Sequence, residues 1–367
     1  MTDRTSFGKY FLPGPTEVRP EILEAMRRPV LGHRSAEISE LMARMQPKLG
    51  RLFHTGRPVY VSTSSATGMM EAAITNLTRR RVLCLSCGAF SHRFYDIAGA
   101  TGREADVLEV EWGAVNGPER LRDALAADPG RYDLVTVVHS ESSTGVLNPI
   151  AELARVVHDF DDILIAVDTV SSMAATPVLM DEWGLDFVLT GSQKAVALPP
   201  GLALAAASER AIDRARAVEH RGFYFDLLKF DQNLTERSQT PNTPAVSLFF
   251  ALDRQLDRIM DEGIETRWRR HEAMAGRTDR WVSETAARTG AAYRVLAPEG
   301  YRSPAVTAIM LPRGVTGPDV VACARAHGFT VASGYGKLKQ GSFRIGHMGD
   351  HTLPGLEELL AVLDDEL

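Results

Sequence analysis

Apolar and polar positions follow two rhythms along this chain, and the first two-thirds are dominated by short apolar runs set between amphipathic stretches. The runs at 59–62, 82–85, 105–110, 134–138, 163–167, 187–190 and 202–207 are too short for helices and rich in β-branched residues, so they predict strands. Between most of them, 68–77, 90–99, 118–127 and 150–160 carry apolar residues at helical spacing. Strand–helix alternation predicts crossover units, hence an α/β fold with a mainly parallel sheet covered by helices on both faces. Right-handed crossovers place the loops after parallel strands along one sheet edge, where such sheets bind ligands.

Beyond Pro241-Asn242-Thr243-Pro244 the rhythm changes. Two long helical stretches, 245–260 and 264–288, meet at Gly263; strands near 306–311, 330–333 and 342–347 follow, then a final helix over 353–363. The pattern predicts a small α+β unit, 251–367, joined by a long helix to a large unit, 18–250. A length of 367 residues fits two units, and 44% hydrophobic against 24% charged residues is an ordinary globular balance.

Charge narrows the partners. A formal net charge of −6 argues against a nucleic-acid binder, which needs a concentrated basic stripe, and leaves small molecules. No apolar run approaches the ~18 residues of a membrane span, and the start Met1-Thr2-Asp3-Arg4 lacks the apolar region of a secretion signal, so the expected location is cytoplasmic. Three cysteines are too few, and odd in number, for a disulfide framework. Cys84 and Cys87 form a C-x-x-C with no second pair, and there is no H-E-x-x-H; they read as buried thiols, and no catalytic metal is expected. Arg79-Arg80-Arg81 and Arg267-Trp268-Arg269-Arg270 read as solvated charges at a helix end and on a helix face. Gly334-Tyr335-Gly336 reads as a connection between small-unit strands.

Three segments carry candidate chemistry. The run from Asp186 ends in Gly191-Ser192-Gln193 and delivers Lys194 to the ligand edge, after which Pro199-Pro200-Gly201 stop regular structure. A desolvated lysine there has a lowered pKa and is available as the neutral amine that attacks a carbonyl. Taken alone, a surface lysine after a strand is the better reading. It is joined, however, by Asp168 at the end of another apolar run, either a partner for a protonated pyridine nitrogen or a cap for the turn that follows. The third segment, Ser65-Ala66-Thr67-Gly68, opens a helical run after a strand; its free N–H groups and hydroxyls suit an anion, although Ser and Thr also stand at such places simply as caps.

In order along nearly the whole chain, Pro13-Gly14-Pro15-Thr16, the stretch from Ser65 to Ala73, His139-Ser140-Glu141-Ser142-Ser143-Thr144-Gly145, Asp168-Thr169-Val170, Gly191-Ser192-Gln193-Lys194 and Phe343-Arg344-Ile345-Gly346 resemble the class V aminotransferases. The likeness is to alanine–glyoxylate and serine–pyruvate aminotransferases in particular. It implies the fold type I architecture of pyridoxal-phosphate-dependent transferases, α/β, with a mainly parallel seven-stranded sheet between helices and a small α+β C-terminal unit. An N-terminal segment, 1–17, would cross to the other unit or subunit.

The same resemblance implies pyridoxal 5′-phosphate as cofactor, with Lys194 forming its Schiff base and Asp168 on the pyridine nitrogen. Ser142 would lie beside the phenolic oxygen, Val170 on one ring face, and Phe90 of Gly88-Ala89-Phe90 on the other. Ser65, Ala66, Thr67 and Gln193 would hold the phosphate, with Thr240 and Thr243 reaching across from the second subunit of a homodimer. Arg344 would take the substrate carboxylate, for which its planar fork is suited, and Gly14, His33 and Arg34 would lie near the substrate entrance. Without the resemblance, Arg344 reads as a surface strand arginine, and His33 and Arg34 as a helix-entry loop capped by Ser35. Two departures stand out: Ser64 and Ala66 occupy positions where relatives often carry glycine, and 239–244 lacks the tyrosine many relatives use.

The implied reaction is transamination in two half-reactions, from a small amino acid such as alanine or serine to a 2-oxo acid, glyoxylate or pyruvate. A charged donor such as aspartate, phosphoserine, aminoethylphosphonate or ureidoglycine is the alternative, and it calls for a second cation beside Arg344. A lyase or desulfurase on the same fold is disfavoured, because Cys323 sits in a helical run and not in a mobile loop. A catalytically silent cofactor-binding protein predicts loss of Lys194 or Arg344, or an added DNA-binding segment, and the sequence has neither feature.

Overall fold

Two β-sheets, each backed by its own apolar cluster, organise the computed structural model, which describes residues 7–366. Residues 1–6 of the expected N-terminal crossing segment lie outside the described residues. The large sheet comprises β1 (Val59–Ser62), β2 (Arg81–Ser86), β3 (Glu104–Glu109) and β4 (Leu134–Val138). After a short hairpin of β5 (Ser140–Glu141) and β6 (Val146–Leu147), it adds β7 (Leu164–Asp168), β8 (Phe187–Gly191) and β9 (Ala203–Ala207). Its order is β1-β9-β8-β7-β4-β2-β3, seven strands, each within one residue of its sequence-predicted bounds. Neighbours from β3 to β8 run parallel, while β9 is antiparallel to both β8 and β1. The direction of β9 is invisible in its sequence because Ala203–Ala207 is buried along its whole length and gives no face to read.

Helices α1 (Pro20–Ala25) and α2 (Ala36–Phe53) precede the sheet, and α3 (Ala66–Leu77), α4 (Ala89–Ala100), α5 (Pro118–Ala127) and α6 (Ile150–His158) fill its crossovers. Then come α7 (Glu209–Ala217), α8 (Leu227–Arg237), α9 (Val246–Glu262) and α10 (Ile264–Thr289), the last two meeting at Gly263 as expected. Helix α2 is foreseen in the sequence only as a helix entry at Ser35, without a range, although Ile38, Leu41, Met42, Met45, Leu49 and Leu52 form its buried face at helical spacing; Pro47 lies inside it. The small sheet, β10 (Arg294–Val295), β11 (Val306–Met310), β12 (Ala332–Ser333) and β13 (Ser342–Gly346), has the order β10-β11-β13-β12 and is antiparallel throughout. Helices α11 (Gly317–Ala326) and α12 (Leu353–Glu366) pack on it around Phe343, Ile345, Leu356 and Leu360.

The N-terminal stretch ties the two sheets to one place. Lys9 O accepts from Thr330 N–H at 2.9 Å, Phe11 O from Gly346 N–H at 2.9 Å, and Gln193 O from Thr16 N–H at 2.9 Å. Gly346 permits this approach, since a Cβ there would lie 2.1 Å from Leu12 O.

One reading of charge is corrected. Arg267 is no solvated helix-face residue: it is 1% exposed and pairs with Asp350 and Glu262, each at 2.8 Å, while Arg270 also bonds Glu262. Cys84 and Cys87 are buried without a disulfide, and burial pushes both thiols up to about 12. Among the described residues no helix is long and apolar enough to cross a membrane.

Candidate active site

The carboxyl ends of β4, β7 and β8 open beside the starts of α3 and α4, where a cavity spans about 490 Å³, the solvent at its mouth included. Its walls bring together Ser65, Ala66, Thr67, Phe90, Ser142, Asp168, Val170, Gln193 and Lys194, segments far apart in the chain. A roomier surface concavity between α2 and α8, about 1070 Å³, has no acid–base cluster in its walls and lies apart from this chemistry.

Lys194 leaves β8 within a tight loop in which its carbonyl accepts from Ala197 N–H at 2.8 Å. Its amine donates to Pro13 O and lies 5.8 Å from the centre of the Phe90 ring. Burial and the Arg344 charge lower its pKa to about 8, against the opposite pull of Asp168 and Glu141. Gly14, at φ +105°, leaves room for this side chain: a Cβ there would fall 2.3 to 2.7 Å from Lys194 Cδ, Cε and Nζ.

Asp168 ends β7 and is 5% exposed. Burial raises its pKa to about 6 despite a 2.7 Å hydrogen bond from Val170 N–H and the nearby Lys194 and Arg93 charges. Among the described residues no side chain donates to this carboxylate, so it keeps acceptor capacity for a donor in the cavity. The turn-cap reading of Asp168 is thus also realised, through Val170.

Helix α3 begins at Ala66, and the hydroxyl of its N-cap Ser65 caps no backbone N–H of the helix. Gly68 N–H bonds Ser65 O at 3.0 Å, and the N–H groups of Ala66 and Thr67 remain available to an anion. Phe90 is held at the start of α4 by Glu141, which is fully buried. One Glu141 oxygen accepts from Phe90 N–H at 3.1 Å, Ser91 N–H at 2.8 Å and Ser91 Oγ at 2.9 Å. The other accepts from Ser143 N–H at 3.0 Å and Ser143 Oγ at 2.6 Å. A carboxylate at a helix start is favoured by the helix dipole, so Glu141 fixes the aromatic wall.

Arg344 on β13 is 8% exposed and donates to Ser142 O at 2.9 Å and Ser333 O at 3.1 Å, which sets its guanidinium against the cavity wall. Burial lowers its pKa to about 10, partly offset by Glu141 and Tyr335. Four predicted residues stand elsewhere. Buried Thr240 and exposed Thr243 line a separate small concavity with Tyr224 and Asn242. Arg34 donates to Gln239 Oε1 at 3.2 Å, Thr240 O at 2.6 Å and Pro241 O at 2.9 Å, and His33 sits half-buried in the turn before α2. Conversely, Arg93 lines the cavity with no role assigned to it from sequence; its one signal was its position three residues after Phe90, on the same face of α4.

This geometry sets a lysine with lowered pKa and a buried carboxylate at the edge of the large sheet, with an arginine of the small sheet bonded to the cavity wall. The model of the class-V aminotransferase family matches residues 16–335, and the chain belongs to that family. An uncharacterized aminotransferase of Methanocaldococcus jannaschii is 40% identical over 96% of this chain and 90% of its own length. The L-aspartate–glyoxylate aminotransferase of Paracoccus denitrificans is 32% identical over 95% of this chain and 88% of its own. Among solved structures, the alanine–glyoxylate aminotransferase of Nostoc sp. superposes with a TM-score of 0.90 at 27% identity, covering 100% of this chain and 97% of that one. The protein is a pyridoxal-phosphate-dependent transaminase of fold type I. The cavity suits that cofactor on its own evidence: the glycine cradle at Gly14, the open acceptor of Asp168 and the uncapped start of α3 answer an aldehyde, a ring nitrogen and a phosphate.

Proposed function

We propose that this transaminase moves an amino group from a small uncharged amino acid, alanine or serine, to glyoxylate or pyruvate in a ping-pong sequence. The cations around the cavity carry the reading. Arg344 bonds the carbonyls of Ser142 and Ser333 at the cavity wall, Arg34 is tied to the carbonyls of 239–241 away from the cavity, and Arg93 stands at the proposed phosphate cradle beside Thr67. With Arg344 on the α-carboxylate and Arg93 at the phosphate end, a donor with a second negative group has no further cation to meet it.

Bound pyridoxal phosphate supplies an electron-poor ring that stabilises negative charge at the substrate α-carbon as its proton leaves. Lys194 takes that proton as a neutral amine and returns it. Asp168 would hold the ring nitrogen in its protonated form, Phe90 and Val170 would flank the ring, and Ser142 would serve the phenolic oxygen. Ser65, Ala66, Thr67 and Gln193 would hold the phosphate. Arg344 fixes the α-carboxylate, and Gly14 keeps the entrance clear for Lys194. Thr240 and Thr243 lie outside the cavity of their own chain, which supports their serving a second subunit in a homodimer. The cytoplasm is the proposed location.

Glyoxylate is in the names of both the Paracoccus relative and the Nostoc structure, which supports it as acceptor; the donors named there, aspartate and alanine, differ. A donor–acceptor activity matrix tests the proposal. Alanine or serine with glyoxylate should give the highest kcat/KM, with parallel double-reciprocal lines; aspartate used far better than alanine defeats the small-donor reading.

A further inference from the structure

Ser65, Thr67 and the α3 start form a neutral cradle, and the group it is proposed to hold is a phosphomonoester carrying about −1.5 to −2 charges. The surroundings already hold two carboxylates, Asp168 in the wall and Glu141 behind Phe90. Of the residues lining the cavity, two are basic, Lys194 and Arg93, and Lys194 has to react as a neutral amine. Arg93 is therefore the lining side chain whose positive charge is permanent. It is half-buried, forms no ion pair among the described residues, and donates from Nη1 to Thr67 Oγ1 at 3.3 Å. Its guanidinium also lies 5.0 Å from the centre of the Phe90 ring, so one side chain touches both the proposed phosphate cradle and the proposed ring wall. A guanidinium left without a carboxylate in such a place awaits an anion.

We infer that Arg93 is the counter-charge of the cofactor phosphate, reaching it beside the Thr67 hydroxyl at the start of α3. The inference rests on the proposed placement of the phosphate there. It deepens the donor reading, because an arginine committed to phosphate cannot also hold a side-chain carboxylate of the donor. The helix start adds roughly half a charge and the hydroxyls add none, so Arg93 contributes the largest single positive charge to this end of the site.

Removing the phosphate from the ligand and the charge from the protein tests this directly. Cofactor-free wild type, Arg93→Gln and Arg93→Lys are each titrated with pyridoxal phosphate and with pyridoxal, following the absorbance of the bound chromophore. Arg93→Gln should weaken pyridoxal phosphate by about 10- to 100-fold, the scale of a lost charge-assisted hydrogen bond, while pyridoxal changes by less than about threefold. Arg93→Lys should recover much of the loss. The readout is a ratio between two ligands on the same variant, so a partly unfolded preparation cancels. Equal weakening of both ligands, or of neither, overturns the inference, as does a variant that keeps the ratio and instead loses use of aspartate. Borohydride reduction with peptide mapping separates the underlying reading: an adduct away from Lys194 sinks the lysine assignment while the ratio still reports on Arg93.

Discussion

Asp168 and Asp350 are each 5% exposed, and their electrostatic states are opposite. Asp350 is held down at about 2: burial alone would raise it, but Arg267 at 2.8 Å, Arg19 at 3.1 Å and Gln255 outweigh that cost. Asp168 is pushed up to about 6, because one backbone N–H and two more distant cations do not offset its burial. The arginines differ in the same way. Arg267 has two carboxylates and its charge is reinforced, whereas Arg344 bonds two carbonyls and its pKa falls to about 10. Depth does not separate the clusters; partners do. In the Asp350 cluster the charges of Asp350 and Arg267 are matched within the chain, although Arg267 Nε and Gln255 Oε1 stay unpaired, while the Lys194 cavity keeps the charge of Asp168 without an ion pair for what it binds.

The largest contrast should come from Lys194→Ala. Turnover should fall by roughly 10³-fold or more, since proton transfer and the covalent attachment are lost together. The variant should also yield no borohydride-reducible cofactor adduct, and persistence of that adduct refutes the role. The two aspartates then divide cleanly. Asp350→Asn removes one of the two carboxylates paired with buried Arg267 and should destabilise the fold by about 3–5 kcal/mol, read as a lowered denaturation midpoint, with activity per folded molecule nearly unchanged. Asp168→Asn should do the reverse, costing roughly 100-fold in turnover and little stability. Similar profiles for the two variants would erase the distinction. The acid limb of stability follows: with Asp350 at about 2 folded and ~3.9 unfolded, its contribution is full above ~4 and is lost as pH falls towards 2.

A smaller effect sharpens the Lys194 side of the comparison. Cofactor-free protein combines with pyridoxal only through the neutral amine, so its rate should rise about tenfold per pH unit and flatten near pH 8, instead of climbing towards ~10.5 as for an ordinary lysine. Burial is the main cause and the Arg344 charge the second, so Arg344→Met should move the bend upward. A bend that stays in place excludes that electrostatic link.

The same contrast explains what was legible in the sequence. The position of Lys194 and Asp168 on the sheet edge was legible because each follows or ends an apolar run, whereas their chemistry was read from the family resemblance, a lone lysine after a strand being more simply a surface residue. Arg267 was misread as solvated because charge dominates Arg267-Trp268-Arg269-Arg270, yet Ile264, Arg267, His271 and Met274 share one buried helical face, and that spacing was the available signal. Arg93 gave less. Its partner Thr67 is 26 residues away, and the contact exists only because α3 and α4 pack side by side. Thr240, Thr243 and Arg34 were placed through family likeness alone, and in the chain they gather at one another and not at Lys194.

That gathering yields the last and smallest expected effect. Arg34 spans three successive residues of the 239–241 turn, fastening the entry to α2 onto the segment that carries Thr240 and leads to Thr243. An arginine whose donors are engaged by carbonyls acts on the shape of that turn, and its exposed surroundings keep each bond modest. Arg34→Ala should therefore change kcat/KM for alanine by less than about threefold when pyridoxal phosphate is saturating. The loss should surface instead as weaker cofactor retention on dilution, where the threonine turn of a second subunit would matter. If Arg34→Ala selectively removes use of aspartate or phosphoserine while retention is normal, Arg34 belongs to the substrate, and the completed structural charges and the open catalytic ones are less separate than the two aspartates suggest.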